Sequence, residues 1–148
     1  MQVSECSLGR VFVMRIDDGE DILSAVKGLV REKGIASAMI HILGAVGEGL
    51  IVTGPETPVI PPVPHFETAK GGWEVLGLGT VYPSEDGPRI HMHVSVGRGR
   101  ETLTGCLREI ATTYLVVEVV ILELVGLSAR RVFDSEFKLH MLRLEEGS

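Results

Sequence analysis

Residues 90–94 read Ile-His-Met-His-Val. On a strand successive side chains alternate faces, so His91 and His93 would point the same way with Cα atoms roughly 6.5–7 Å apart, a span that two imidazoles can bridge to one metal ion. Two histidines packed in a core or titrating at a surface give the same pattern, and a third ligand is needed to separate the readings. Cys106 follows twelve intervening residues later, in Leu103-Thr104-Gly105-Cys106-Leu107. A strand, a Gly97-Arg98-Gly99-Arg100 turn and a returning strand would bring its thiol back to the histidine pair, and His₂Cys with an open fourth position suits Zn²⁺. The competing reading is a free cysteine serving as a small buried hydrophobe.

Two carboxylates are candidates for acid/base chemistry. Glu118 stands inside Val116-Val117-Glu118-Val119-Val120, where an ionised side chain needs a partner. An arginine on a neighbouring strand or subunit is the first expectation; orienting a ligating imidazole or moving a proton is the second. Glu74 is the other candidate. His41 and His140 read as core or surface histidines, and His65 as a solvent-exposed residue ending a proline-rich loop. The glycines at 44, 47, 49, 77 and 79 lack the strand-turn-helix context of a phosphate-binding loop, so no nucleotide or other organic cofactor is assigned.

The elements that must position these residues are mostly strands. Residues 8–16 read as a strand buried on most of both faces. Asp17-Asp18-Gly19 ends it and supplies the N-cap of an amphipathic helix over 20–33, with Ile22, Leu23, Ala25, Val26, Leu29 and Val30 on its apolar face and Gly34 as the left-handed C′ residue. Residues 37–46 and 49–53 read as a strand pair around Gly47. Residues 55–64 hold five of the seven prolines and form an extended surface loop. Strands over 73–82, 89–96, 103–110, 114–125 and 138–144 complete an α+β arrangement of largely antiparallel sheet with one main helix.

The chain of 148 residues is long enough for a single domain, read as spanning 1–148 with a core over about 8–144. With 45% apolar and 23% charged residues it can bury a core, and with one helix to cover so much strand surface some strand faces need another cover. Glu118 and Glu123 interrupt the most apolar stretch, 114–127, which argues against a membrane span. The first residues lack the basic and apolar regions of a secretory signal, so the expectation is a cytoplasmic protein whose two cysteines stay reduced. A formal charge of −6 weakens affinity for phosphate backbones.

The order of Met14-Arg15-Ile16 before an acidic turn and helix, Gly44-Ala45-Val46, Trp73 to Gly79, His91-Met92-His93, Gly105-Cys106-Leu107 and Val117 to Ile121 resembles the plant and prokaryote conserved (PPC) domain over nearly all of 8–144. The resemblance implies an α+β fold, assembly as a homotrimer and membership of a superfamily that includes acetolactate decarboxylase. Family members commonly carry H-x-H followed by Gly-Gly-His-Leu, histidines that look like a metal site. His91 and His93 match the pair, and Thr104-Gly105-Cys106-Leu107 matches the second motif with cysteine in place of the third histidine. Prokaryotic members carry the label PD1-like DNA-binding proteins. Arg98-Gly99-Arg100 is similar to the centre of the AT-hook attached to plant members, but Glu101 and Thr102 follow where a hook has proline and basic flanks, and a hairpin turn explains it better. The expectation is a trimeric zinc-binding module with a DNA-associated or regulatory role and weak direct affinity for duplex DNA. The alternatives are a metal-dependent enzyme on a small carbonyl or carboxylate substrate and a small-molecule-binding or scaffold trimer with a structural metal.

Overall fold

A computed structural model describes residues 1–145. The chain runs β1 (Ser7–Asp17), α1 (Ile22–Glu32), β2 (Ala38–Pro55), β3 (Pro64–Ser84), β4 (Gly87–Arg98), β5 (Glu101–Val125), β6 (Ala129–Asp134) and β7 (Leu139–Leu144). All pairings are antiparallel. The main sheet has the order β1-β5-β2-β3-β4, and the first part of β5 also pairs with β4, so β5, β2, β3 and β4 close into a ring. The mostly antiparallel α+β expectation holds. No helix among the described residues is long and apolar enough to cross a membrane.

Period-two alternation sorts the sheet into two faces. Ile40, Ile42, Val75, Val81, Met92, Val94, Val96, Val117, Val119 and Ile121 turn inward and are buried, joined by Ile22, Val26 and Val30 of α1. Gly77 and Gly79 occupy inward positions on β3: a Cβ at Gly77 would lie 2.7 Å from Ile42 Cγ1 and 2.9 Å from Val94 Cγ1. They make room for neighbouring core side chains where the sheet curls.

The helix is shorter than 20–33 and is capped differently. Asp21, not the Asp17-Asp18 pair, is the N-cap, its carboxylate accepting from Ser24 N at 2.8 Å. Asp18 instead accepts from Leu115 N at 2.7 Å, where β5 bends with Leu115 at φ 61°. Gly34 does take the left-handed conformation, φ 62°, and Ile35 N donates to Val30 O to close the C-terminus.

Three strand expectations need correction. Residues 37–53 form one strand rather than a pair, because Gly47 sits at a register shift between Val46 and Glu48 and not at a reversal. The segments 103–110 and 114–125 are likewise one 25-residue strand, whose two halves serve different ladders. Strand β1 is a sheet edge with Val11 and Val13 exposed, so it is not buried on both faces. The β6 strand was not anticipated; it pairs with β7 in a separate hairpin. Residues 56–63 form the proline-rich loop as expected.

Candidate metal centre

His93 and Cys106 are register partners across the β4–β5 ladder, and His91 lies two residues along on the same face. The turn between these strands is set by Arg98 pairing with Glu101, leaving Gly99-Arg100 as the loop, with Gly99 at φ 62°. Arg98-Gly99-Arg100 is therefore a hairpin turn. Nε2 of His91 and Nε2 of His93 are 3.2 Å apart, and one ligand atom from each of His91, His93 and Cys106 lies within 4.8 Å of the others. Tetrahedral zinc with Zn–N of about 2.0–2.1 Å and Zn–S of about 2.3 Å separates its ligand atoms by about 3.3–3.6 Å. The histidine pair already has that spacing, and the thiol needs an ångström-scale adjustment. The donor set fits zinc in number and type, and the histidine pair fits it in spacing.

The close approach of Cys106 depends on Gly105, where a Cβ would sit 2.0 Å from Val52 O. Behind the thiol β2 pairs with β5, and the foot of the proline loop, Pro55, Pro62 and Pro64, forms one wall of a cavity of about 430 Å³ that contains all three donors.

The electrostatics favour neutral ligands. Although His91 has solvent on one side, burial of the rest of the ring, then Arg131, His93 and Arg108, pull its pKa down to about 4. The imidazole is neutral at pH 7, as a ligand must be. Burial raises the Cys106 thiol, partly offset by Arg108 and Arg131. Metal binding therefore has to displace its proton.

The other candidates lie elsewhere. Glu118 is exposed, opposite Arg15 on β1 and Leu43 on β2, and Glu74 is exposed opposite Ala45 and Gly97. Neither joins the three donors. His65 lies between Glu56 at 2.8 Å and Glu67 at 3.2 Å. The ring of His140 stacks edgewise on Phe133, and His41 is half-buried in a row with Leu78 and His93. Arg108 and Arg131 also stand beside the donors, and no local sequence pattern marks them as parts of a site. Arg131 Nη2 lies 3.3 Å from His91 Nδ1, a contact that depends on the unforeseen β6 strand.

Fold and site together define a small β-rich module with a His₂Cys cluster on the outer face of its sheet. The profile of the Plants and Prokaryotes Conserved (PCC) domain matches residues 3–125, and the chain belongs to that family. Two similar solved structures are a metal-containing protein from Archaeoglobus fulgidus (27% identity, TM-score 0.85, covering 97% of this chain and 99% of that one) and a plant- and prokaryote-conserved protein from Pyrococcus horikoshii (26%, 0.83, 100% and 99%). A Bacteroides thetaiotaomicron protein described as a supposed DNA-binding protein shares the fold at 22% identity and TM-score 0.78, covering 94% of this chain and 97% of that one. No curated protein matches the chain.

Proposed function

We propose that this chain is a zinc-binding PCC-domain module in which His91, His93 and Cys106 hold the ion and leave a fourth position open, and which works as a homotrimer. The observation that carries the reading is the convergence of three donors of the right chemistry within 4.8 Å. The metal content of the Archaeoglobus relative supports it. Zinc bound there would supply Lewis-acid polarisation of an oxygen ligand at the open position.

Trimer assembly is supported by the outer face of the sheet. Val11, Val13, Met39, Leu43, Leu76 and Leu78 are all exposed, with Val13 at 79% and Leu76 at 67%. Lone exposed apolar residues are ordinary, but a face of them on one sheet marks an association surface. Its row Val13, Val120, His41, Leu78, His93 ends at Cys106, so subunit contact would border the metal site.

A DNA-associated or regulatory role enters through the relatives described that way. Direct duplex binding is weak in this reading, because the chain carries a net charge of −6, which repels a phosphate backbone. A metal-dependent reaction on a small carbonyl or carboxylate substrate is the second reading, favoured by Arg108 and Arg131 beside the cluster.

The test is a crystal structure of the protein grown with zinc, with data collected at the zinc edge. An anomalous peak among His91, His93 and Cys106 is expected. A peak elsewhere, or none, overturns the assignment.

A further inference from the structure

A histidine that binds a metal through Nε2 carries its proton on Nδ1, and in most metal sites a carboxylate, carbonyl or water accepts that proton. His91 departs from this pattern. Its Nε2 faces His93 Nε2 at 3.2 Å, while its Nδ1 faces Arg131 Nη2 at 3.3 Å. A guanidinium has donors only. In the metal-free ring Nδ1 can accept from Arg131, but once Nε2 is engaged two donors confront each other.

Arg131 is not free to withdraw. Its Nη2 also donates to Thr80 Oγ1 at 3.1 Å, Nη1 donates to His140 O at 3.4 Å, and the guanidinium lies over the Tyr82 ring, 5.7 Å from its centre. Its Nε is buried without a partner. Among the described residues, no carboxylate pairs with Arg131, Arg108 or Lys138. These three cations and His91 line one cavity of about 330 Å³, together with Arg89, whose charge is shared with Asp86 at 3.5 Å. A concave site with several unneutralised cations in a chain of net charge −6 is built for an anion.

We propose that this cavity binds a small doubly charged oxyanion, which accepts from both His91 Nδ1 and the Arg131 guanidinium from the cavity side and binds in a manner coupled to metal at His91 Nε2. The inference rests on the zinc-site reading and adds a ligand class to it. Metal turns Nδ1 into a second donor beside Arg131, so each ligand tightens the other by the same factor. Arg131 and Lys138 belong to residues beyond 125, so two of the cations come from outside the segment that matches the PCC profile.

The experiment is calorimetric titration of the full chain, zinc-loaded and metal-free, with sulfate and with succinate, alongside zinc analysis of each sample. Binding to the zinc-loaded protein is expected to be about tenfold tighter or more, the size of one charge-assisted hydrogen bond. Arg131→Met should remove a similar factor, and ¹⁵N spectra should show His91 Nδ1 protonated in the loaded form. Arg108→Gln, at a half-exposed side chain, should weaken the anion in the same direction and serves if Arg131→Met fails to fold. Preference for succinate identifies a carboxylate ligand; preference for sulfate identifies a tetrahedral one. Equal anion affinity with and without zinc overturns the inference and leaves the zinc centre standing. So does unchanged affinity in a folded Arg131→Met or in Arg108→Gln, which would place the anion on the metal alone. A chain that takes up no zinc overturns the zinc reading itself, and the coupling with it.

Discussion

His93 and Cys106 are paired residues on adjacent strands, and the thiol that completes the candidate site is fixed in register by the short Gly99-Arg100 turn. A slip of one residue would send Cys106 to the opposite face. Because burial raises the Cys106 pKa, the group is a thiol before metal arrives and a thiolate afterwards. Zinc binding at pH 7 should therefore release about one proton per ion, measurable by calorimetry in buffers of different ionisation enthalpy. Cobalt substitution should give a thiolate charge-transfer band that Cys106→Ser abolishes. Binding without proton release would show that the thiol is not a ligand.

Gly105 is the packing condition for that geometry. With a Cβ 2.0 Å from Val52 O, backbone on β2 must move if any side chain is added. Gly105→Ala should destabilise the fold by about 1–3 kcal/mol, in the range of overpacked cores, and lower zinc affinity as Cys106 shifts. Unfolding in urea and metal competition check the two effects. An alanine variant equal to the parent in both would show that β5 is free to move away from β2.

The histidine pair, its strand and its returning partner were legible because alternation and a Gly-rich turn are local signals. The amphipathic helix was legible for the same reason. The continuity of β5 was not, because its middle, around Ala111 and Thr113, is held by contacts with the turn before α1: Gly19 N donates to Thr113 O and Thr113 N to Glu20 O. Nor was the choice between glutamates. Glu118 looked buried from its apolar neighbours, but it faces outward, while Glu123 is 9% exposed and paired. Alternation along β5 puts the two on opposite faces, Glu123 with Val117, Val119 and Ile121; which face is covered, and the partner Glu123 finds at the irregularity on β1 between Leu8 and Val11, are not contained in β5 alone.

At that irregularity Arg10 grips Glu123 through Nε at 2.7 Å, Nη2 at 2.7 Å and its backbone N at 3.1 Å. These bonds hold the Glu123 pKa down to about 2. A depressed carboxylate adds stability that is complete above its unfolded pKa of about 4.3 and is lost as pH falls through its folded value. The urea midpoints of the parent and Arg10→Met should therefore differ at about pH 6, and the difference should shrink toward zero as pH approaches about 2. A difference independent of pH would show that Arg10 acts through packing on Phe12 instead.

The exposed outer face gives a separate expectation. Leu76→Glu and Leu78→Glu place charge where the proposed subunits meet and should convert the trimer to a species of one-chain mass in light scattering, with the strand content unchanged by circular dichroism. A parent protein that already scatters as one chain at all concentrations would refute the trimer.

Most direct for the central claim is the zinc content of the untagged protein after exposure to zinc and exhaustive dialysis, set beside His91→Ala, His93→Ala and Cys106→Ala. About one zinc per chain is expected in the parent, with each variant falling far below that while keeping its fold, since three ligands act on one ion. A parent that retains no zinc, or folded variants that retain as much as the parent, would contradict the assignment of His91, His93 and Cys106 as a metal centre.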